Sequence, residues 1–195
     1  MKALLSTATG GPDTLVLGDI ARPTAGKGQI VIDTKACAVN FPDVLIIEDK
    51  YQFRPERPFA PGGEVAGLVA EVGEGVTEFK IGDRVLAACG NGGMAEAVAV
   101  SVHNAYHLPD GHDFAEGASL LMTYGTSFHA LVDRGHIKSG DTLLVLGASG
   151  GVGIAAVEIG KALGARVIAG VSSEAKAQIA REAGADDIII YGTAP

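Results

Sequence analysis

The stretch "LVLGASGGVGIAAVEIGKALGARVIAG", Leu144 to Gly170, decides the fold of this chain. A continuous apolar run enters a glycine-rich turn, a helix-forming segment follows, and a second apolar run comes after it. Strand, tight turn, helix and strand in that order make a βαβ unit, whose two strands lie parallel. Outward from this stretch, "TLLVLG" reads as a strand, "GVGIAAVEIGKALG" as a helix and "ARVIAGV" as a strand. "SEAKAQIAREAG" then reads as a helix and "ADDIIIY" as a third strand. These strands are continuous apolar runs rather than alternating ones, which predicts a parallel sheet covered on both faces. From Thr142 on, the chain reads as the βαβαβ half of a doubly wound fold.

Upstream the period changes. From Met1 to about Leu108, short strands such as "QIVIDTKACAV", "GEVAGLVAEVG", "GDRVLAAC" and "GMAEAVAVSV" are punctuated by Gly, Pro and Asp. Their alternation predicts an antiparallel, barrel-like β region. Between the two regions, Ala118, Leu121 and Met122, then Phe128, Leu131 and Val132, recur at helical spacing, with Asp113 placed to cap the first helix. The fold class is therefore α/β with a β-rich N-terminal part, and no internal repeat is evident.

Composition sets the limits on function. The chain has 195 residues, 47% of them apolar, and 28 glycines, which suits a packed globular core with many tight turns. A net charge of −8 repels phosphate backbones and anionic lipid surfaces, so neither nucleic acid nor membrane is an expected partner. Cys37 and Cys89 sit in apolar contexts without CxxC spacing, which predicts buried thiols in a reducing compartment. The opening "MKALLSTATGGPD" is too short in apolar run for a signal peptide, and the expected location is the cytoplasm.

Ala148-Ser149-Gly150-Gly151-Val152-Gly153 occupies the turn from the first parallel strand into its helix. It fits the dinucleotide fingerprint with Ala148 in place of the first glycine, Gly150 as the second and Gly153 as the third. Gly150 lets the backbone approach a pyrophosphate, Gly153 lets helix pack on strand, and the helix N-terminus supplies N–H donors and a positive dipole. At the end of the second strand, an NAD site usually carries an acid that accepts from the ribose 2′-hydroxyl. Here stand Ser172 and Ser173, with Lys176 in the next helix's first turn, which favours the 2′-phosphate of NADPH. Ser172 or Ser173 can equally cap that helix, and Glu174 is a discordant neighbour.

"AVNFPDVL" (Ala38 to Leu45), "PFAPGGEVAG" (Pro58 to Gly67), "VGEGVTEFKIGDRV" (Val72 to Val85), "GGMAEA" (Gly92 to Ala97) and "TYGTSFHAL" (Thr123 to Leu131) precede "GASGGVG" in fixed order. With that ordered set the chain resembles the medium-chain dehydrogenase/reductases, and within them the zinc-free NADPH:quinone oxidoreductases. The resemblance implies a GroES-like catalytic domain over 1–122 and an incomplete Rossmann-type NADP-binding domain over 123–195. Where the zinc alcohol dehydrogenases carry a catalytic Cys and a Gly-His-Glu, this chain has Asn40 and Gly62-Gly63-Glu64, and the four-Cys structural loop is absent. No metal site is therefore expected, and His103, His107 and His112 read as surface or turn histidines.

The resemblance further implies hydride delivery to a quinone or other α,β-unsaturated carbonyl, of the quinone reductase or 2-enoyl reductase type. Asn40 and Thr126 match positions near the nicotinamide and acceptor, and Tyr51 a tyrosine at the cleft mouth. Tyr191 joins the expected cofactor-binding set. As parts of the fold alone, Asn40 would be a turn residue, Thr126 a helix start and Tyr51 a surface tyrosine. Leu45 and Ile47 replace a Tyr and an Arg of several quinone oxidoreductases, which predicts a more apolar pocket. The alternative function is a reductase-like protein that binds NADPH without turnover, as a sensor or partner-binding module. The family's members are longer, so the chain is expected to be a fragment or, if whole, a homodimer paired along its third-strand edge.

Overall fold

The computed structural model describes residues 1–192. They form two compact units, one Met1–Leu121 and the other starting at Met122, described in turn.

The first unit is built from strands β1 (Lys2–Leu5), β2 (Val16–Asp19), β3 (Gln29–Cys37), β4 (Glu64–Val72), β5 (Arg84–Ala88), β6 (Ala97–Ser101) and β7 (Ala105–His107). Helices α1 (Phe41–Ile47) and α2 (Phe114–Ala118) complete it. β1 and β2 make an antiparallel pair, and the other five form an antiparallel sheet in the order β6-β3-β4-β5-β7. The predicted strands are thus present, in a curled sheet. Period-two alternation drives Ile30, Ile32, Val65, Val69, Val85, Val98 and Val100 into one core, and Cys37 and Cys89 pack at its margin. Both thiols are half-buried rather than fully buried, because they sit where the strands give way to loops.

The Asp113 cap forms as the sequence predicts. Its Oδ1 accepts the Glu116 N–H at 2.8 Å and Glu116 Oε2 accepts the Asp113 N–H at 3.1 Å, a reciprocal capping box at the start of α2.

The second unit opens on a helical run: a π-turned segment, Leu121–Gly125, begins at the unit boundary, α3 (Thr126–Phe128) follows, and a second π-turned segment, His129–Arg134, ends it. A parallel sheet follows, β8 (Thr142–Leu146), β9 (Arg166–Val171) and β10 (Asp187–Ile190), in the order β10-β9-β8, with α4 (Gly151–Ala162) and α5 (Glu174–Glu182) as crossovers. Val145, Val167, Ala169 and Val171 pack with Val157 of α4 and with Ala177 and Ala180 of α5.

The expectation of two covered faces is corrected here. Consecutive right-handed crossovers that advance in one direction across a sheet place both helices on the same side. The pairing rows Leu144–Ile168 and Leu146–Gly170–Ile189 face the other way, and Leu146 is 72% exposed and Ile189 50%. Within this unit's described residues the apolar runs are covered once, and their second apolar face lies open.

Candidate active site

In the second unit the glycine turn sits at the carboxyl end of β8. Gly147 takes a positive φ of +68°, a conformation that glycine adopts without steric cost, and swings the chain off the strand. The Ala148 N–H then donates to the Gly170 carbonyl at 3.2 Å, which seats Ala148, fully buried, against β9. Gly150 is the N-cap of α4, and Ser149, Gly150, Gly151 and Val152 ring the helix start, where unsatisfied N–H groups and the dipole favour an anion.

Two glycines of this turn are required for different reasons. A β-carbon on Gly153 would stand 2.3 Å from the Gly147 carbonyl oxygen and 2.8 Å from the Ala148 Cα, so helix and turn meet only because residue 153 has no side chain. Gly153→Ala should accordingly cost about 1–3 kcal/mol of stability, read as a lowered Tm; an unchanged Tm would show that the turn yields. A β-carbon on Gly150 would meet only the Gly147 oxygen at 3.6 Å, an ordinary contact, and its φ of −85° and ψ of 163° suit any residue. Neither backbone nor packing of the chain asks for glycine at 150. The space beside it is open at the N-terminus of α4.

Other residues expected at the site converge on the same end of the sheet. Lys176 Nζ donates to Ser172 Oγ at 3.0 Å, and Ser173 Oγ accepts the Lys176 N–H at 3.4 Å, so Ser173 caps α5 while Ser172 and Lys176 present a hydroxyl and a cation to solvent. Glu174, the discordant acid, is drawn away to Arg181 at 2.7 Å. Tyr191 continues past β10, its N–H donating to Val171 O at 2.9 Å, with its ring edge over Gly170.

Thr126 is exposed and lies inside a continuous helical run rather than at a helix start. Its neighbour Ser127, not singled out in the sequence, is buried and donates from Oγ to the Val152 carbonyl at 2.7 Å. That bond ties Thr126 to the first turn of α4. Tyr124 Oη, hydrogen-bonded to Glu158 of α4, makes a second tie, and this bond raises the Tyr124 pKa.

In the first unit Asn40 is the N-cap of α1 and its Nδ2 donates to Glu64 Oε1 at 2.9 Å. Asn40, set by the resemblance against the zinc enzymes' ligand Cys, is thus hydrogen-bonded to Glu64, which matches the Glu of their Gly-His-Glu, while Gly63 stands at the His. Val39 and Phe41, on either side of Asn40, are each 73% exposed. Tyr51 is half-buried against the cluster of Ile46, Ile47 and Phe59, which orients its ring. The expected apolar pocket at Leu45 and Ile47 is corrected in one half: Ile47 is 3% exposed and belongs to that same small core, because the turn of α1 points it inward, while Leu45 is half-buried.

Cys37 and Cys89 have their pKa values pushed up to about 12, chiefly by burial, with Asp43 and Glu64 adding repulsion. Raised thiol pKa values contribute stability present below the ordinary thiol pKa and lost as pH climbs toward about 12. At pH 8 both cysteines should react with a disulfide reagent far more slowly than free cysteine; stoichiometric labelling at the free-thiol rate would contradict this.

His103, His107 and His112 are exposed; His107 Nε2 lies 3.1 Å from Glu78 O, and His112 Nδ1 lies 3.1 Å from Glu116 Oε2. An apolar recess of about 440 Å³ beside β7 and α2 is bordered by Leu86, Tyr106, Leu108, Gly117, Leu120 and Leu121, and by none of the expected site residues. Among the described residues no helix is long and apolar enough to cross a membrane.

A curled antiparallel sheet followed along the chain by a parallel βαβαβ unit with an open glycine turn is an architecture that known proteins share. Residues 26–110 match the alcohol dehydrogenase GroES-like domain. The human quinone oxidoreductase is 37% identical over 190 residues, 96% of this chain and 58% of that protein. The Escherichia coli quinone oxidoreductase, solved in complex with NADPH, superposes with a TM-score of 0.93 at 32% identity, over all of this chain and 60% of that one. A probable oxidoreductase from Mycobacterium abscessus gives 0.92 at 42% identity, covering 99% of this chain and 62% of that one. The chain is thus similar, over nearly its whole length, to quinone oxidoreductases of the medium-chain dehydrogenase/reductase family. It spans about 60% of the length of these relatives.

Proposed function

We propose that the chain serves an NADPH-dependent reductase of quinones or other α,β-unsaturated carbonyls that works without zinc. The observation that carries the reading is Gly150, a glycine that its own chain does not require, at the mouth of a helix N-terminus. A dinucleotide pyrophosphate is the ligand whose close approach explains it. Ala148, Ser149, Gly151, Val152 and Gly153 shape the same cradle, and Tyr191 flanks it. Ser172 and Lys176, held 3.0 Å apart with Glu174 turned away, offer a donor and a charge to a 2′-phosphate.

When bound, NADPH supplies a hydride. The chain's own side chains contribute position and hydrogen bonds: Asn40 and Thr126 are neutral groups that orient nicotinamide and acceptor, and the Tyr51 hydroxyl is a donor for the acceptor's oxygen. Conjugated acceptors suit such a site, since their developing charge is spread and needs no Lewis acid. Asn40 and Gly63, an amide and a residue without a side chain at the positions of the zinc enzymes' Cys and His, support the zinc-free reading, because Zn²⁺ sites are built on Cys, His and carboxylate ligands. Partners in this reading are a small electrophilic acceptor and a second copy of the chain, and a cytoplasmic setting fits two free thiols.

Lys176→Glu tests the cofactor assignment. It should weaken NADPH by roughly ten- to a hundredfold, with NADH little changed, since an attracted phosphate becomes a repelled one. Equal affinities for the two cofactors in the unmodified chain, by fluorescence titration, would defeat it.

A further inference from the structure

Asp43 is a carboxylate at the third residue of α1, yet it is 4% exposed. An N-terminal helix cap does its work at the surface, so capping alone does not account for burying the group, which carries a desolvation cost. Burial pushes the Asp43 pKa up, opposed by the backbone N–H groups of Asn40, Gly62 and Gly63. Two of these donors have resolved lengths: Asn40 N–H to Oδ2 at 2.8 Å and Gly62 N–H to Oδ1 at 3.1 Å. One carboxylate thus bridges the start of α1 to the turn that leads into β4.

Each bridged segment carries one member of the Asn40–Glu64 pair. Asn40 is the cap itself, and Glu64 follows Gly62 and Gly63 as the first residue of β4. The turn is held from its other side as well. Gly62 has a φ of +98°, and a β-carbon there would stand 2.6 Å from Cys37 Sγ and 2.9 Å from the Met94 nitrogen, so the segment has no room to drift.

We infer that Asp43 is a positioning residue for Asn40, clamping the α1 start to the Gly62-Gly63 turn so that the Asn40 amide is fixed against Glu64 and presented in one orientation. The inference rests on the reading of Asn40 as a residue of the reacting site. A double-mutant cycle on the full chain separates positioning from simple support of the fold. Asp43→Asn, which turns an amide NH₂ toward backbone donors, should lower kcat per folded molecule about tenfold while NADPH affinity in the second unit stays within about twofold. In an Asn40→Ala background the same change should cost less than about twofold, because its effect passes through Asn40. Losses that add fully, or an unchanged kcat, would overturn the inference.

Hydrogen exchange reads the same clamp without turnover. In the unmodified chain the Asn40 and Gly62 backbone amides should be as protected as that of Val65, and exchange at exposed-loop rates would overturn the inference even if Asp43→Asn fails to fold. Where it folds, the Asn40 side-chain amide should lose protection while Ile32 and Val65 keep theirs. A chain that fails to oxidise NADPH with any quinone or enone acceptor defeats the proposed function instead, and the exchange experiment then decides the clamp alone.

Discussion

Gly150→Val should abolish binding of both NADPH and NADH at concentrations that saturate the unmodified chain, and leave the protein folded. The residue's backbone lies in the extended region that β-branched residues favour, and its β-carbon would meet nothing nearer than 3.6 Å, so the chain itself leaves room for a side chain to start there. Replacing a glycine N-cap by valine costs α4 at most about 1 kcal/mol. What valine occupies is the space over the first N–H groups of the helix, where a pyrophosphate must come into contact with the backbone. Gly153→Ala, three residues on, gives the opposite pattern, with stability lost first and binding lost only as the fold weakens. Titration and thermal melting of the two variants side by side check the pair; a Gly150→Val protein that binds NADPH normally would show that the turn cradles no phosphate.

The second large effect concerns turnover. Loss of the Asn40 amide or the Thr126 hydroxyl should lower kcat by about ten- to a thousandfold without abolishing it, the range for groups that orient and stabilise rather than react. Thr126→Ala is the cleaner experiment, because Thr126 is exposed while the tie to α4 belongs to Ser127. Asn40→Ala also removes the donor to Glu64 Oε1, so about 1–3 kcal/mol of stability goes with it, and its kcat must be normalised to folded protein. Tyr51→Phe keeps the ring against Ile46, Ile47 and Phe59 and tests the hydroxyl alone. Unchanged turnover in Thr126→Ala would remove it from the site.

What the sequence made legible follows from which interactions are local. Strand and helix alternation from Thr142 onward, the Asp113 cap and the turn at Gly150 are fixed by neighbours within a few residues, and all are where periodicity and capping chemistry put them. The open face of the parallel sheet was not legible, since a continuous apolar run states that both sides of a strand are greasy without stating which neighbours arrive to cover them. Ile47 reads as a pocket residue in an aligned stretch, but the phase of a two-turn helix points it into a small core. Asp43 and Ser127 are ordinary polar residues in ordinary contexts. Their roles depend on Gly62 and Val152, brought to them by the fold across 19 and 25 positions. The burial of Glu64 offered one legible signal, a charged residue ahead of the apolar run 65–70.

The most direct test of the account is anaerobic NADPH oxidation by the full chain with 1,4-benzoquinone and a simple enone, before and after exhaustive chelation, beside oxidation of simple alcohols. The account predicts acceptor-dependent oxidation that chelation leaves unchanged and that exceeds any alcohol activity. Turnover that vanishes with EDTA and returns with zinc, alcohol oxidation exceeding enone reduction, or tight NADPH binding with no oxidation by any acceptor would contradict it.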